Sequence, residues 1–265
     1  MSQLSDNSAI ATELFSNAIT FLEQQAITSI EQTQQKFTTQ AKSEISDKKV
    51  SRLNKSYISV ASLQAWRKAI YETKSKEIHD LFLEAQNDAL LSFTLAHIGM
   101  WRPALQSLRS FLEGMVRIAY FDDHPVEFVW WQSQKHKIST TRTLKLYLSK
   151  HPKIAQSKTI APALPDYLKE LASEYSTLSK AVHASSTAFF MTKEGDIEIS
   201  TDEEKYYNPW YKRHDACIRN VNLLLLCMHQ DKIQGTGNRD LRQLISLTIP
   251  VRHHAEIAKL GIKLR

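Results

Sequence analysis

The chain has 265 residues, of which 42% are hydrophobic and 23% charged, a balance typical of a soluble globular protein with one large or two small domains. Its six glycines and seven prolines offer few tight turns, which favours long helices over many short strands. No apolar run reaches membrane-spanning length, and the opening MSQLSDNSAI lacks the basic and apolar regions of a secretory signal, so we expect a soluble cytosolic protein.

Helical stripes begin near the N-terminus. Residues 6–46 carry apolar side chains three and four apart, which predicts a long N-terminal helix and a helical arm over 1–50. The basic, serine-rich sequence DKKVSRLNKSYIS predicts a break after this arm. Ser62 is then the expected N-cap of a second long helix that ends near His97.

The middle of the chain predicts further helices. A third helix over 103–121 has proline in its first turn. Its apolar seam runs through Leu105, Leu108, Leu112, Val116 and Ala119. Other segments follow in chain order: short amphipathic helices within 126–137 and 140–151, a loop over 151–163 and a helix over about 164–185.

The last third of the chain predicts a hairpin and more helices. Around Gly195 the sequence TAFFMTKEGDIEIS alternates apolar and polar residues, which indicates a small β-hairpin. Asn208 and Pro209 are expected to open a long helix to about Gln230. The predicted fold is all-α, an antiparallel helical bundle with a hairpin insertion. Its predicted core spans 51–190, and 191–265 supplies the hairpin, an acidic loop and C-terminal helices that pack on that core.

Common catalytic and cofactor motifs are absent from the sequence. It has no HExxH or CxxC metal motif, no glycine-rich phosphate loop and no GxSxG nucleophile turn. His253 and His254 are adjacent, so on a helix they point about 100° apart and cannot easily share a metal. Cys217 and Cys227 are expected to be small buried side chains in a reducing cytosol. We therefore expect no cofactor and no metal.

The third predicted helix carries a charged stripe, in which Arg109, Glu113 and Arg117 lie four residues apart beside the apolar seam. A side chain in that position is partly buried, and a buried arginine needs a partner. One interpretation is a structural polar latch to another helix, and the other is a clamp for an anion such as an RNA phosphate.

A second polar stripe lies on the helix predicted over 164–185. Tyr175, Ser179 and His183 are four residues apart, and His183 is close to the C-terminus, where the helix dipole favours a protonated imidazole. Such a histidine can serve as a general acid or base, although no carboxylate within the motif orients it as in a triad. The alternative is a structural histidine at the edge of a helical bundle.

Positive charge is concentrated in one stretch. Residues 128–165 contain no acidic side chain, and Trp130, Trp131 and Tyr147 are interspersed among basic residues. We expect the nucleic-acid contacts to include Lys135, Lys137, Arg142, Lys145 and Lys150. Basic and aromatic side chains together suit a phosphate backbone and its bases, while the alternative is a solvated loop and helix face.

Two segments together carry a family resemblance: RPALQSLRSFLEGMVRIAYF on the third helix and YSTLSKAVHASS at the end of a later one. Residues 60–190 resemble the HEPN-like helical proteins, in particular bacterial members with an LRxxxE helix and a terminal SxxxH. The resemblance implies a four-helix bundle that commonly dimerises. It also implies RNA association, in some members as metal-independent ribonucleases of toxin–antitoxin, CRISPR-linked or anti-phage systems, and in others without catalysis.

Two hypotheses for function follow from this resemblance. In the first, the protein is a ribonuclease effector in which His183 is the acid/base, supported by Ser179 and Tyr175, and Arg109 or Arg117 stabilises the transition-state charge. In the second, it is a non-catalytic, dimerising helical module that binds RNA or a partner protein in a defence complex. The family's nuclease signature is an arginine and a histidine with four to six residues between them. Ser176, Thr177 and Leu178 occupy the corresponding positions here, which favours the second hypothesis.

Overall fold

Helices account for nearly all of the regular structure. The computed structural model describes residue 31 and residues 47–133, 141–193, 196–197, 204–235 and 237–264. Eleven α-helices lie in these ranges: α1 Asp47–Ala69, α2 Lys76–His97, α3 Trp101–Phe121, α4 Pro125–Gln132, α5 Thr141–Lys150, α6 Pro152–Ile160, α7 Tyr167–Val182, α8 Glu204–Met228, α9 Gln230–Ile233, α10 Arg239–Thr248 and α11 His254–Lys259. The predicted all-α class is confirmed.

Chain contacts divide the protein into two units, residues 1–44 with 191–201 and residues 45–190 with 202–265. In the first unit, the two-residue strands Thr192–Lys193 and Asp196–Ile197 pair antiparallel at the position of the expected hairpin. A pairing of this length does not amount to a sheet, so a hairpin insertion stays a prediction. The predicted N-terminal helix over residues 6–46 falls almost entirely outside the described residues.

The predicted break before Ser62 and the single helix over 62–97 were both wrong. Instead, α1 begins at Asp47, and a 3₁₀ turn at Tyr71–Thr73 separates it from α2. Ser75 caps α2 by accepting a hydrogen bond from the Ile78 amide at 3.4 Å. Two serines of the predicted break, Ser56 and Ser59, are buried along α1, and so is Ser62, the expected N-cap. Small side chains at this spacing let another helix approach closely.

The predicted loop over 151–163 was also wrong, because α6 occupies most of it. Pro152 stands in the first turn, where its missing N–H is not needed. His151 is the N-cap, and its Nδ1 accepts from the Lys153 amide at 3.2 Å. Likewise Pro209, expected to open the last long helix, lies inside α8, which begins at Glu204.

The core forms where α3 and α8 meet their neighbours. The predicted seam of α3 is buried throughout, from Leu105 to Ala119. Every residue from Val221 to His229 is buried, so this end of α8 is enclosed on all sides and belongs to the core itself. Cys217 and Cys227 are both buried and unbridged, as expected. Within the described ranges, no helix is both long and apolar enough to cross a membrane.

Candidate functional site

The charged stripe of α3 meets the polar stripe of α7 at Tyr175. The Tyr175 hydroxyl donates to Glu113 Oε1 at 2.8 Å and accepts from Arg109 Nη2 at 2.9 Å. Arg109 Nη2 also lies 2.9 Å from Glu113 Oε1, which closes a three-membered ring of polar contacts. The helices α3 and α7 therefore face each other as predicted, joined by a charge-assisted hydrogen-bond network.

Two further cations, Arg117 and Lys145, lie beside this ring. We call the five residues together the basic cluster: Arg109, Glu113, Arg117, Lys145 and Tyr175. Arg117 Nη2 is 3.7 Å from Glu113 Oε2, too long for a hydrogen bond. Lys145 of α5 places its Nζ 4.8 Å from the centre of the Tyr175 ring, a cation–π contact. Burial lowers the pKa of Lys145 from its ordinary value. One residue predicted to bind nucleic acid is thus packed against the predicted latch.

The charges of the basic cluster do not balance. Arg109 and Arg117 share the Glu113 carboxylate, while Lys145 contacts the Tyr175 ring and pairs with no acidic side chain among the described residues. In addition, Arg109 Nε is buried and has no hydrogen-bond acceptor among the residues that the structure describes. Other arginines nearby are matched: Arg213 pairs with Glu174, and Arg219 pairs with both Glu170 and Asp215. A half-buried excess of positive charge favours the binding of an anion.

His183 lies apart from the basic cluster. It is the exposed C-cap residue of α7, and its side chain bonds to no described residue. It follows Tyr175 by eight residues, about 12 Å along a helix axis. Ser179 does not bridge the gap, since its hydroxyl donates to the Tyr175 carbonyl at 2.8 Å. The structure therefore brings Arg109 and Glu113 to Tyr175 and does not bring Arg109 to His183.

The arginine next to His183 is Arg102, which sequence reasoning missed. Its Nε donates to the Ala181 carbonyl at 3.1 Å and its Nη2 to the Val182 carbonyl at 3.3 Å. The Ala181 carbonyl also accepts from the Ala184 amide at 3.4 Å, so Arg102 adds side-chain bonds to the backbone cap at the end of α7. A signal was present in the sequence. Arg102 is seven residues before Arg109, and Val182 is seven residues after Tyr175. If Arg109 and Tyr175 are paired between two antiparallel helices, Arg102 and Val182 are therefore brought together as well.

A second missed polar site joins α3, α5 and α6. Tyr147 Oη and His151 Nε2 both donate to Asp123 Oδ2, at 3.1 and 2.7 Å. Because His151 Nδ1 already accepts the Lys153 amide, both ring nitrogens are engaged. This imidazole is thereby a structural link between the three elements.

The remaining predicted nucleic-acid contacts are described only in part. Lys150 is exposed at the end of α5. Lys135 and Lys137 lie outside the described residues, as does the side chain of Arg142. Among exposed apolar side chains near this stretch are Val129 and Trp130 of α4.

No grouping of three or more histidine, cysteine or acidic side chains in the described ranges is placed to hold a metal. Comparison of the chain with protein-family models, curated proteins and solved structures finds no match. The HEPN-like resemblance is therefore carried by the residues of the chain alone.

Proposed function

We propose that the protein is a non-catalytic, RNA-associated helical module of the HEPN-like type, and that the basic cluster holds a phosphate of the RNA backbone. The observation that carries the proposal is the charge imbalance, since the basic cluster holds three cations and one carboxylate, Glu113. Arginine and lysine beside a tyrosine hydroxyl provide the donors that phosphate oxygens accept. Dimerisation and a role in anti-phage defence or a toxin–antitoxin pair are what the family resemblance adds.

The charge of Arg117 is the most available of the cluster, since 37% of its side chain is exposed and it makes only a long contact with Glu113. An incoming phosphate can therefore pair with Arg117 and Lys145 without breaking the ring that joins Arg109, Glu113 and Tyr175. The ring serves as the structural latch, and the two outer cations serve as the clamp. The structural latch and the anion clamp, the two interpretations of the charged stripe on α3, are then roles of different residues in the cluster.

We expect Arg117→Glu and Lys145→Glu each to weaken binding of single-stranded RNA by about tenfold at low salt. The slope of log affinity against log salt should fall by about 0.7 for each phosphate that the variant no longer neutralises. Lys169→Glu is the matched control, because Lys169 is exposed on α7 and outside the cluster. Fluorescence anisotropy of a labelled RNA measures both quantities. Equal decreases in affinity for all three variants would show that net charge, and not the cluster, retains the RNA.

The predicted contacts at Lys135, Lys137 and Arg142 are tested in the same assay. Reversing these three charges together should lower the salt slope further if the stretch over 128–165 carries additional phosphate contacts. A slope identical to that of the unaltered protein would remove this stretch from the RNA interface.

Metal-independent ribonuclease activity is the second candidate function, and the exposure of His183 beside Arg102 favours it. Cleavage would require His183 to exchange a proton with the RNA, because no other free imidazole lies at the end of α7 in the described ranges. Our proposal predicts that RNA incubated with the protein and a metal chelator stays intact. Cleavage that His183→Ala abolishes, with the melting temperature unchanged, would make the protein a nuclease and replace the non-catalytic proposal.

A further inference from the structure

A groove of 650 Å³ runs along α1 between α2 and α10, and it shares no residue with the basic cluster. Its apolar wall includes Tyr57, Val60, Ala61, Leu90 and Leu244. From Tyr57 to Lys68 the groove follows about 17 Å of α1. Volumes between about 300 and 1,000 Å³ are typical of small-molecule sites.

The two ends of the groove differ in chemistry. At one end Tyr57 and Leu90 are 59% and 46% exposed, so a large apolar surface faces water. Lys68, Arg239 and Asp240 are all found at the other end. The start of α10 lies at this end because the Asn238 side chain donates to the Lys232 carbonyl, and His229, three residues before Lys232, bonds to Tyr71 just after α1.

The polar end has unmatched positive charge. Lys68 and Arg239 form no ion pair with any residue that the structure describes, and neither does Asp240. Two cations against one carboxylate leave a net charge of +1 at the groove end. This charge is complementary to a single anionic head group.

A hydrogen-bond acceptor without a donor stands part-way along the groove. Gln86 of α2 donates its Nε2 to Gln64 Oε1 at 2.9 Å, while its own Oε1 is enclosed and lacks a donor among the described residues. Gln64 precedes Lys68 by one helical turn, about 6 Å along α1. An enclosed carbonyl oxygen of this kind favours a ligand that carries an N–H or O–H group.

We infer that this groove binds a soluble, single-chain acyl carboxylate. Its carboxylate pairs with Lys68 and Arg239. Its chain covers the apolar wall towards Tyr57 and Leu90, which removes that surface from water. An amide or hydroxyl group about 6 Å from the carboxylate donates to Gln86 Oε1.

The test uses dansylaminoundecanoic acid as a fluorescent probe, in buffer without RNA, so that its outcome does not depend on the proposed RNA binding. The probe should bind with an increase in dansyl emission. Dodecanoate below its micelle concentration should displace it, and dodecyltrimethylammonium, with the same chain and the opposite charge, should not. N-octanoyl-4-aminobutyrate, whose amide N–H is separated from the carboxylate by three methylene groups and so lies at about the required distance, should displace it more strongly than dodecanoate.

Two variants locate the probe. Lys68→Glu, which reverses the charge at the head, and Ala61→Phe, which fills the groove, should each weaken binding by about tenfold. Lys55→Glu is the matched control on α1, since Lys55 is exposed and does not line the groove. Melting temperatures of the three variants confirm that each is folded.

Several outcomes overturn the inference. Absence of probe binding does so, as does equal displacement by the ammonium compound. Unchanged affinity in Lys68→Glu and Ala61→Phe would place the probe elsewhere. Binding to anionic lipid vesicles or to an acidic amphipathic peptide, with no binding of the soluble acid, would assign the groove to a membrane or to a partner protein.

Discussion

Below pH 6.5 the free energy of unfolding is expected to fall by about 1.4 kcal/mol per pH unit for each of two core histidines, His214 and His229. Complete burial and, to a smaller extent, the charge of His97 together lower the pKa of His214 to about 3. Burial also lowers the pKa of His229 to about 4, against an opposing effect of Asp122. Both rings are therefore neutral in the folded protein well below the pH at which they titrate in the unfolded chain.

The sign of the effect follows from proton uptake. Above pH 6.5 neither state binds a proton at these rings, so the full stability is present. As the pH falls, the unfolded chain is protonated first, and the folded state loses stability until its own pKa is reached. By pH 5 the two histidines together should cost about 4 kcal/mol, a large part of the 5–15 kcal/mol typical of a domain.

Urea denaturation at pH 7.5, 6 and 5 measures this decrease. His214→Phe should lower by one the number of protons taken up on unfolding between pH 6 and pH 5, because the unfolded chain then lacks this imidazole. In the folded protein, neither nitrogen of the ring has a partner among the described residues. His183→Gln is the matched control, since His183 is exposed and lies outside the core. A pH profile that is the same in His214→Phe and in the unaltered protein would show that His214 does not contribute.

Helical periodicity predicted the parts of the fold that depend on one face of one helix. The seam from Leu105 to Ala119 is buried, and Arg109 and Glu113 beside it are partly buried and paired, because their spacing alone places them on one side of α3. These features need no knowledge of any other helix.

Features that depend on a second helix were missed. Ser56 and Ser59 suggested a break because serine is common in turns, and Ser62 suggested an N-cap. Contact with neighbouring helices instead makes small side chains suitable at these positions of α1. Nothing near Lys145 in the sequence indicates that its ammonium rests on the ring of Tyr175, thirty residues later. The sequence shows how many basic residues a segment contains, but it does not show which side chains they contact.

Asn220 and Asn222 of α8 are both fully buried. Replacing each of them by leucine should have opposite effects on the free energy of unfolding. Asn222 Oδ1 accepts from Trp66 Nε1 at 2.9 Å, and its Nδ2 donates to Thr248 Oγ1 at 2.8 Å and Ser62 Oγ at 3.0 Å. One amide thus joins α8 to α1 and α10. By contrast, neither amide atom of Asn220 has a partner among the described residues.

Asn222→Leu should destabilise the protein by about 3 kcal/mol, since it leaves a buried indole N–H without an acceptor and breaks the shared network. Ser62 and Thr248 limit the destabilisation, because their hydroxyls also bond the carbonyls of Ser59 and Ile245. For a chain of this size the melting temperature should fall by about 6–12 °C.

Asn220→Leu should instead raise the free energy of unfolding by about 1–3 kcal/mol, because leucine has the same number of side-chain heavy atoms, branched at the same position, and removes two polar atoms that lack partners. Thermal melting of both variants by circular dichroism at pH 7.5 gives the comparison, and the introduced residue is the same in each. A lower melting temperature for Asn220→Leu would indicate that a buried water satisfies this amide, as buried waters commonly do for core polar groups. Equal changes in the two variants would show that leucine packing at this end of α8, and not hydrogen bonding, decides its stability.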